Sequence, residues 1–134
     1  MPHIRHVDSS GILITRFTGV VTLEELIAIQ NELENYACDG EIYELVLHPD
    51  DSELLQNMDE SIASAENVKK RLGKIKKGAI AFVANNDFIY GILRQLQMRV
   101  ENEYIHLSAF RTEETALKWL REIKSLNAAG KGDS

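Results

Sequence analysis

Residues 77–87 read KGAIAFVANND. Inside this stretch, 79–84 is an unbroken apolar run, AIAFVA, with Gly78 before it and Asn85, Asn86 and Asp87 after it. Such a run is too short for a helix to stand alone. It fits a strand covered on both faces, which in practice is the centre of a parallel sheet. The Asn/Asp cluster that follows is helix-opening chemistry, because short polar side chains accept hydrogen bonds from the first free N–H groups of a helix. The remainder of the chain can be arranged around this strand.

Downstream, Asn86 or Asp87 caps a helix over 88–102, whose Ile89, Leu93, Leu96 and Val100 keep a helical spacing. Residues 104–110, YIHLSAF, read as the last strand. Thr112 caps a final helix with Glu113 and Glu114 in its first turn and Ala116, Trp119, Leu120 and Ile123 as its apolar stripe. Upstream, residues 3–8 and 12–18 pair as an antiparallel hairpin through Ser9-Ser10-Gly11. Residues 22–36 are the clearest helix: Thr22 and Glu25 form a capping box, and Val21 with Leu26 a hydrophobic staple. Residues 42–47 form a strand stopped by Pro49, and 49–56, PDDSELLQ, read as a polar loop. Asn57 or Asp59 then caps a helix running to about Leu72, ended by Gly73.

The order is ββαβαβαβα. It predicts an α/β fold, a five-stranded, mostly parallel mixed sheet flanked by four helices, with the first strand antiparallel at an edge. The chain's 134 residues suit one domain, residues 1–126, followed by a tail over 127–134. No apolar run approaches the ~20 residues that span a bilayer, and the N-terminus lacks a signal-peptide stretch. The expectation is a cytoplasmic protein without stable membrane association. The single cysteine, Cys38, excludes an internal disulfide.

The net charge of −6 argues against nucleic-acid binding. The charge is uneven, however. Residues 69–77, KKRLGKIKK, carry no acid, and Lys69, Lys70, Arg71 and Lys74 form a basic strip suited to an acidic partner.

The element order and three local patterns resemble the SpoIIAA-like superfamily. The patterns are Gly19-Val20-Val21-Thr22 with Glu24-Glu25; Asn86-Asp87-Phe88 with Tyr90-Gly91 and Arg94; and Phe110 with Glu113-Glu114, Ala116-Leu117 and Trp119-Leu120. The superfamily includes the STAS domains of anti-sigma-factor antagonists and shares fold features with CRAL-TRIO lipid carriers. The resemblance implies the fold and a regulatory or carrier role. STAS antagonists carry a phosphorylatable serine in an Asp-Ser-Ser-Gly type motif after the third strand. Here Asp8-Ser9-Ser10-Gly11 falls in the hairpin turn, where it is turn chemistry. The matching position reads His48-Pro49-Asp50-Asp51-Ser52-Glu53, with Ser52 as a phosphoacceptor among carboxylates that repel a phosphate.

Ligands in open α/β sheets bind outside the carboxyl ends of the strands. His48, Asp50, Asp51, Ser52, Asn85, Asn86 and Asp87 should meet there, with Arg111 and Thr112 beside them. A His–Asp pair at that edge could serve as a general base or hold a divalent ion. Phe88, Tyr90, Gly91 and Arg94 are the expected pocket residues. No catalytic set, metal-ligand spacing, phosphate loop or cofactor motif is present. The expectation is a non-catalytic module that binds a protein partner, with open strand edges that permit a homodimer. The alternative is a binder or carrier of a small apolar or lipid-like molecule between sheet and helices.

Overall fold

The computed structural model describes residues 3–50, 52–55, 57–100 and 104–132. The strands are β1 (His3–Val7), β2 (Leu13–Phe17), β3 (Gly19–Thr22), β4 (Glu41–His48), β5 (Ser52–Leu55), β6 (Lys77–Ala84) and β7 (Ile105–Phe110). The helices are α1 (Leu23–Asn31), α2 (Leu33–Tyr36), α3 (Met58–Leu72), α4 (Asp87–Val100) and α5 (Glu113–Gly132). The main sheet has the order β1-β2-β4-β6-β7, antiparallel between β1 and β2 and parallel elsewhere. The α/β architecture and mixed sheet are those expected from the sequence.

Strand alternation divides the core into two layers. One sheet face presents Leu13, Phe17, Val46, Ile80, Phe82 and Leu107 to α1, α3 and α4. The other presents Tyr43, Leu45, Leu47, Ala79 and Ala81 to Ala116 and Leu120 of α5. The apolar run of β6 is therefore buried on both faces. On the α5 face, Ala79 and Ala81 leave room for the helix to lie close to the sheet. At the start of β6, Gly78 pairs with Ile42 in register.

The expected caps form. Thr22 and Glu25 make a reciprocal capping box on α1, and Asn57 and Glu60 make one on α3. Asn86 Oδ1 accepts from the N–H groups of Phe88 and Ile89 at the start of α4. Asp8 Oδ1 accepts from the Ser10 and Ile12 N–H groups and the Ser10 hydroxyl, so Asp8-Ser9-Ser10-Gly11 is a turn.

Three features differ from the sequence reading. The helix expected over 22–36 is interrupted at Glu32, and its buried positions are Ile29 and Leu33. The Ile29 carbonyl is taken by the Glu32 N–H and by the Arg5 guanidinium. The loop expected over 49–56 contains β5, which pairs in parallel with β3, Gly19 opposite Ser52. Residues 127–132, read as a tail, continue α5, where Asn127 Nδ2 donates to Tyr43 Oη at 2.8 Å. A polar loop and a small-residue tail carry no periodic signal. Both segments take their structure from partners distant in sequence.

Candidate functional site

A cavity of about 80 Å³ lies between the sheet and the three helices on its first face. Its floor comes from alternate positions of adjacent strands: Arg5 on β1, Thr15 and Phe17 on β2, Glu44, Val46 and His48 on β4, and Ile80 and Phe82 on β6. Leu26, Ile29, Gln30 and Leu33 of the α1–α2 segment form one wall, and Ile92, Leu93, Gln95, Leu96 and Arg99 of α4 the other. Ser61, Ser64 and Val68 of α3 form the roof. Helix α3 packs against α1 and α4 and bridges them. The small side chains of Ser61 and Ser64 leave the space beneath its first turns unfilled. The cavity opens toward solvent where Gln95 and Arg99 stand exposed.

The floor holds a closed charge network. Arg5 and Glu44 are buried, their side chains 4% and 5% exposed, with Nη2 and Oε2 at 2.9 Å. Arg5 Nε donates to Thr15 Oγ1 at 2.9 Å, and the Thr15 hydroxyl donates to Glu44 Oε2 at 2.6 Å. Arg5 Nη1 donates to the Ile29 carbonyl at 2.9 Å, at the end of α1 where a cation complements the helix dipole. The same nitrogen lies 3.5 Å from half-exposed Glu32. The planar guanidinium thus reaches two strands and a helix at once, a fork geometry that an ammonium cannot copy. On the roof, Gln30 Nε2 donates to Ser64 Oγ and Gln30 Oε1 accepts from Asn67 Nδ2.

His48 stands apart from this network. It is 4% exposed and stacks on Phe17 with ring centroids 4.7 Å apart. Its Nδ1 is buried with no hydrogen-bond partner among the described residues. Burial lowers its pKa from 6.5 to about 4, so the imidazole is neutral at neutral pH. Between those values the unfolded chain binds a proton that the folded one refuses, so stability is full above about pH 6.5 and falls as the pH drops toward 4. The loss should total about 3 kcal/mol. Denaturant titrations from pH 7 to 4 should show this slope, and His48→Phe should flatten it. An unchanged slope in that variant would assign the acid sensitivity to other groups.

The carboxyl edge of the sheet carries a second cleft, lined by Arg16, His48, Pro49, Asp50, Asn85, Arg111 and Glu113. The three segments expected there do converge, but their polar groups serve one another. Arg111 Nη1 donates to the Asn85 carbonyl at 2.8 Å and to Asp87 Oδ1 at 2.7 Å, and its guanidinium lies 3.9 Å from the Tyr90 ring centroid. Asn86 is spent on its cap. His48 forms no pair with exposed Asp50, because the even positions of β4 turn its ring into the core. Asp51 lies outside the described residues. The Ser52 hydroxyl is buried and donates to the Pro49 carbonyl at 2.8 Å, a poor position for a phosphoacceptor.

The expected pocket residues Phe88, Tyr90, Gly91 and Arg94 do not line the cavity. Phe88 is 65% exposed, Gly91 faces open space, and Arg94 is exposed. The opposite face of α4, with Ile92, Leu93 and Leu96, meets the cavity instead. In the basic strip, Arg71 and Lys74 share Glu34 at 3.9 and 3.6 Å, while Lys69 and Lys70 stand exposed.

Sequence reasoning missed Arg5, Thr15, Glu44 and the serines of α3. One signal was present: Glu44 is a carboxylate inside the apolar strand EIYELVLH, and a buried carboxylate demands a partner. Its partner lies 39 positions away, beyond any local pattern. No protein-family model matches this chain, and no curated protein matches it at a significant level.

Proposed function

We propose that this protein binds a small, largely apolar molecule in the cavity beneath α3. The observation that carries the reading is a preformed hollow whose walls are mostly aliphatic and whose floor charges are already paired. Functional pockets combine an apolar lining with a few placed polar groups in this way. At about 80 Å³ the space equals the liquid volume of about three waters. It takes a compact group of a few heavy atoms, with any larger remainder extending past Gln95 and Arg99. The carrier side of the SpoIIAA-like resemblance supports the same reading, with the cytoplasm as the setting.

The test compares organic extracts of wild-type protein and Ser64→Leu, each purified without added ligand and shown by circular dichroism to be folded. The leucine fills the hollow from the roof. A small apolar compound released by wild type and missing from the variant is expected. Identical extracts overturn the reading.

The second reading is a protein-interaction module. It draws on Phe88, a large apolar side chain left 65% exposed at the start of α4, and on exposed Lys69 and Lys70.

A further inference from the structure

The binding reading leaves open which chemistry the cavity recognises, and His48 narrows the choice. The other charged groups of the floor are spoken for: Arg5 donates to Thr15, Glu44 and the Ile29 carbonyl, and Glu44 accepts from both Arg5 and Thr15. Gln30 donates to Ser64 Oγ and accepts from Asn67. His48 is the lining side chain whose buried Nδ1 has no partner among the described residues. A buried polar atom left without a hydrogen bond is costly, and in native structures such an atom calls for an explanation.

A neutral imidazole presents one donor and one acceptor nitrogen. A hydroxyl can meet either, since it both donates and accepts, so the match does not depend on the tautomer. An anion is disfavoured. Its countercharge would have to come from Arg5, and withdrawing Arg5 would strand Glu44 in the core. Arg99 stands exposed at the opening, where an anion would remain outside the hollow. A cation meets the converse problem with Glu44. A purely apolar group would fit the walls and leave His48 unsatisfied.

Resting on the binding reading above, the geometry points to an uncharged, hydroxyl-bearing aliphatic group as the ligand of this cavity, with the alkyl part against Val46, Phe82, Leu93 and Leu96 and the hydroxyl bonded to the His48 imidazole. The ligand is a small branched alcohol or the alcohol end of a longer molecule.

Three probes separate this proposal from the reading on which it rests: isobutanol, isobutyrate and xenon. Each is titrated into isotopically labelled wild-type protein and His48→Phe at pH 7, and the amide shifts of Ile29, Val46, Ser64 and Leu96 are followed. Xenon reports the hollow alone, because a dry apolar cavity takes it without hydrogen bonds. Wild type should respond to xenon and to isobutanol, with isobutyrate at least about tenfold weaker. His48→Phe should keep its xenon response and lose about fivefold in isobutanol affinity. Should that variant hold isobutanol as well as wild type does, or should isobutyrate bind as tightly as the alcohol, the hydroxyl assignment is wrong while the cavity reading stands. Absence of any xenon response at these amides overturns the cavity reading itself. His48→Leu, which also removes both ring nitrogens, takes the place of His48→Phe should that variant fail to fold, with the same expected loss of about fivefold and the same overturning result.

Discussion

Arg5→Met should lower the unfolding free energy by about 3–5 kcal/mol, a large part of the 5–15 kcal/mol typical of a domain. Arg5 sits on an edge strand, where a substitution ordinarily costs little. Here its side chain is buried and ties β1 to Thr15 of β2, Glu44 of β4 and the end of α1. Its removal leaves the Glu44 carboxylate desolvated and unpaired, which costs far more than the pair itself contributes. The Ile29 carbonyl loses a donor at the same time. Arg5→Lys should recover only part of the loss, because one ammonium cannot reach all three acceptors. The double variant Arg5→Met/Glu44→Leu should recover most of it, since no buried charge remains. Denaturant unfolding of the four proteins at pH 7 forms the comparison. A loss below about 1 kcal/mol for Arg5→Met would mean that water reaches Glu44 through the cavity and solvates it.

Gly78→Ala should be of similar severity, roughly 4 kcal/mol or more, at a residue that touches no site. A Cβ built on Gly78 falls 1.9 Å from the Ile42 carbonyl oxygen and 2.9 Å from its carbon. Both are backbone atoms of the neighbouring strand, which cannot rotate away as a side chain would. Relief requires β4 and β6 to separate at that end, which breaks ladder hydrogen bonds between two buried strands. Gly91→Ala provides the contrast, because nothing lies within 4 Å of a Cβ there. It should be neutral or stabilising by about 1 kcal/mol, as for any exposed glycine inside a helix. Thermal denaturation of both variants would show the difference. Equal melting temperatures would mean that the sheet yields at Gly78 far more readily than its packing indicates.

These glycines show how much was legible in the chain and how much was not. Both look alike in sequence: Gly78 precedes an apolar run and Gly91 interrupts a helical stripe. The demand for a missing side chain at Gly78 comes from Ile42, a residue of another strand. Gly91 looked like room for a ligand, but the helix turns it to solvent. The same rotation moves Phe88 and Arg94 outward and gives the cavity to Ile92, Leu93 and Leu96. A periodic pattern identifies the apolar stripe of a helix without telling which neighbour leaves a gap beneath it.

His48 makes the point for the site. The sequence places it at the carboxyl end of a strand, and it does border that edge. Its chemistry follows from the alternation of β4, however. Even positions, Ile42, Glu44, Val46 and His48, face the three-helix layer, so His48 stacks on Phe17 in the core rather than pairing with Asp50.

By itself the sequence determined what is local: the two-sided burial of AIAFVA, the capping box at Thr22, the helix start at 57–59, the Asp8 turn, and with them the element order and the α/β sheet. Each rests on residues within about one helical turn or one strand of each other, where backbone hydrogen bonding and side-chain periodicity leave a readable pattern. The tertiary structure alone decided the break at Glu32, the β3–β5 pair, the Arg5–Thr15–Glu44 network and the hollow under α3. Those depend on groups brought together from tens of residues apart. Whether a carboxylate is paired, or a space filled, is settled by what folding places opposite it.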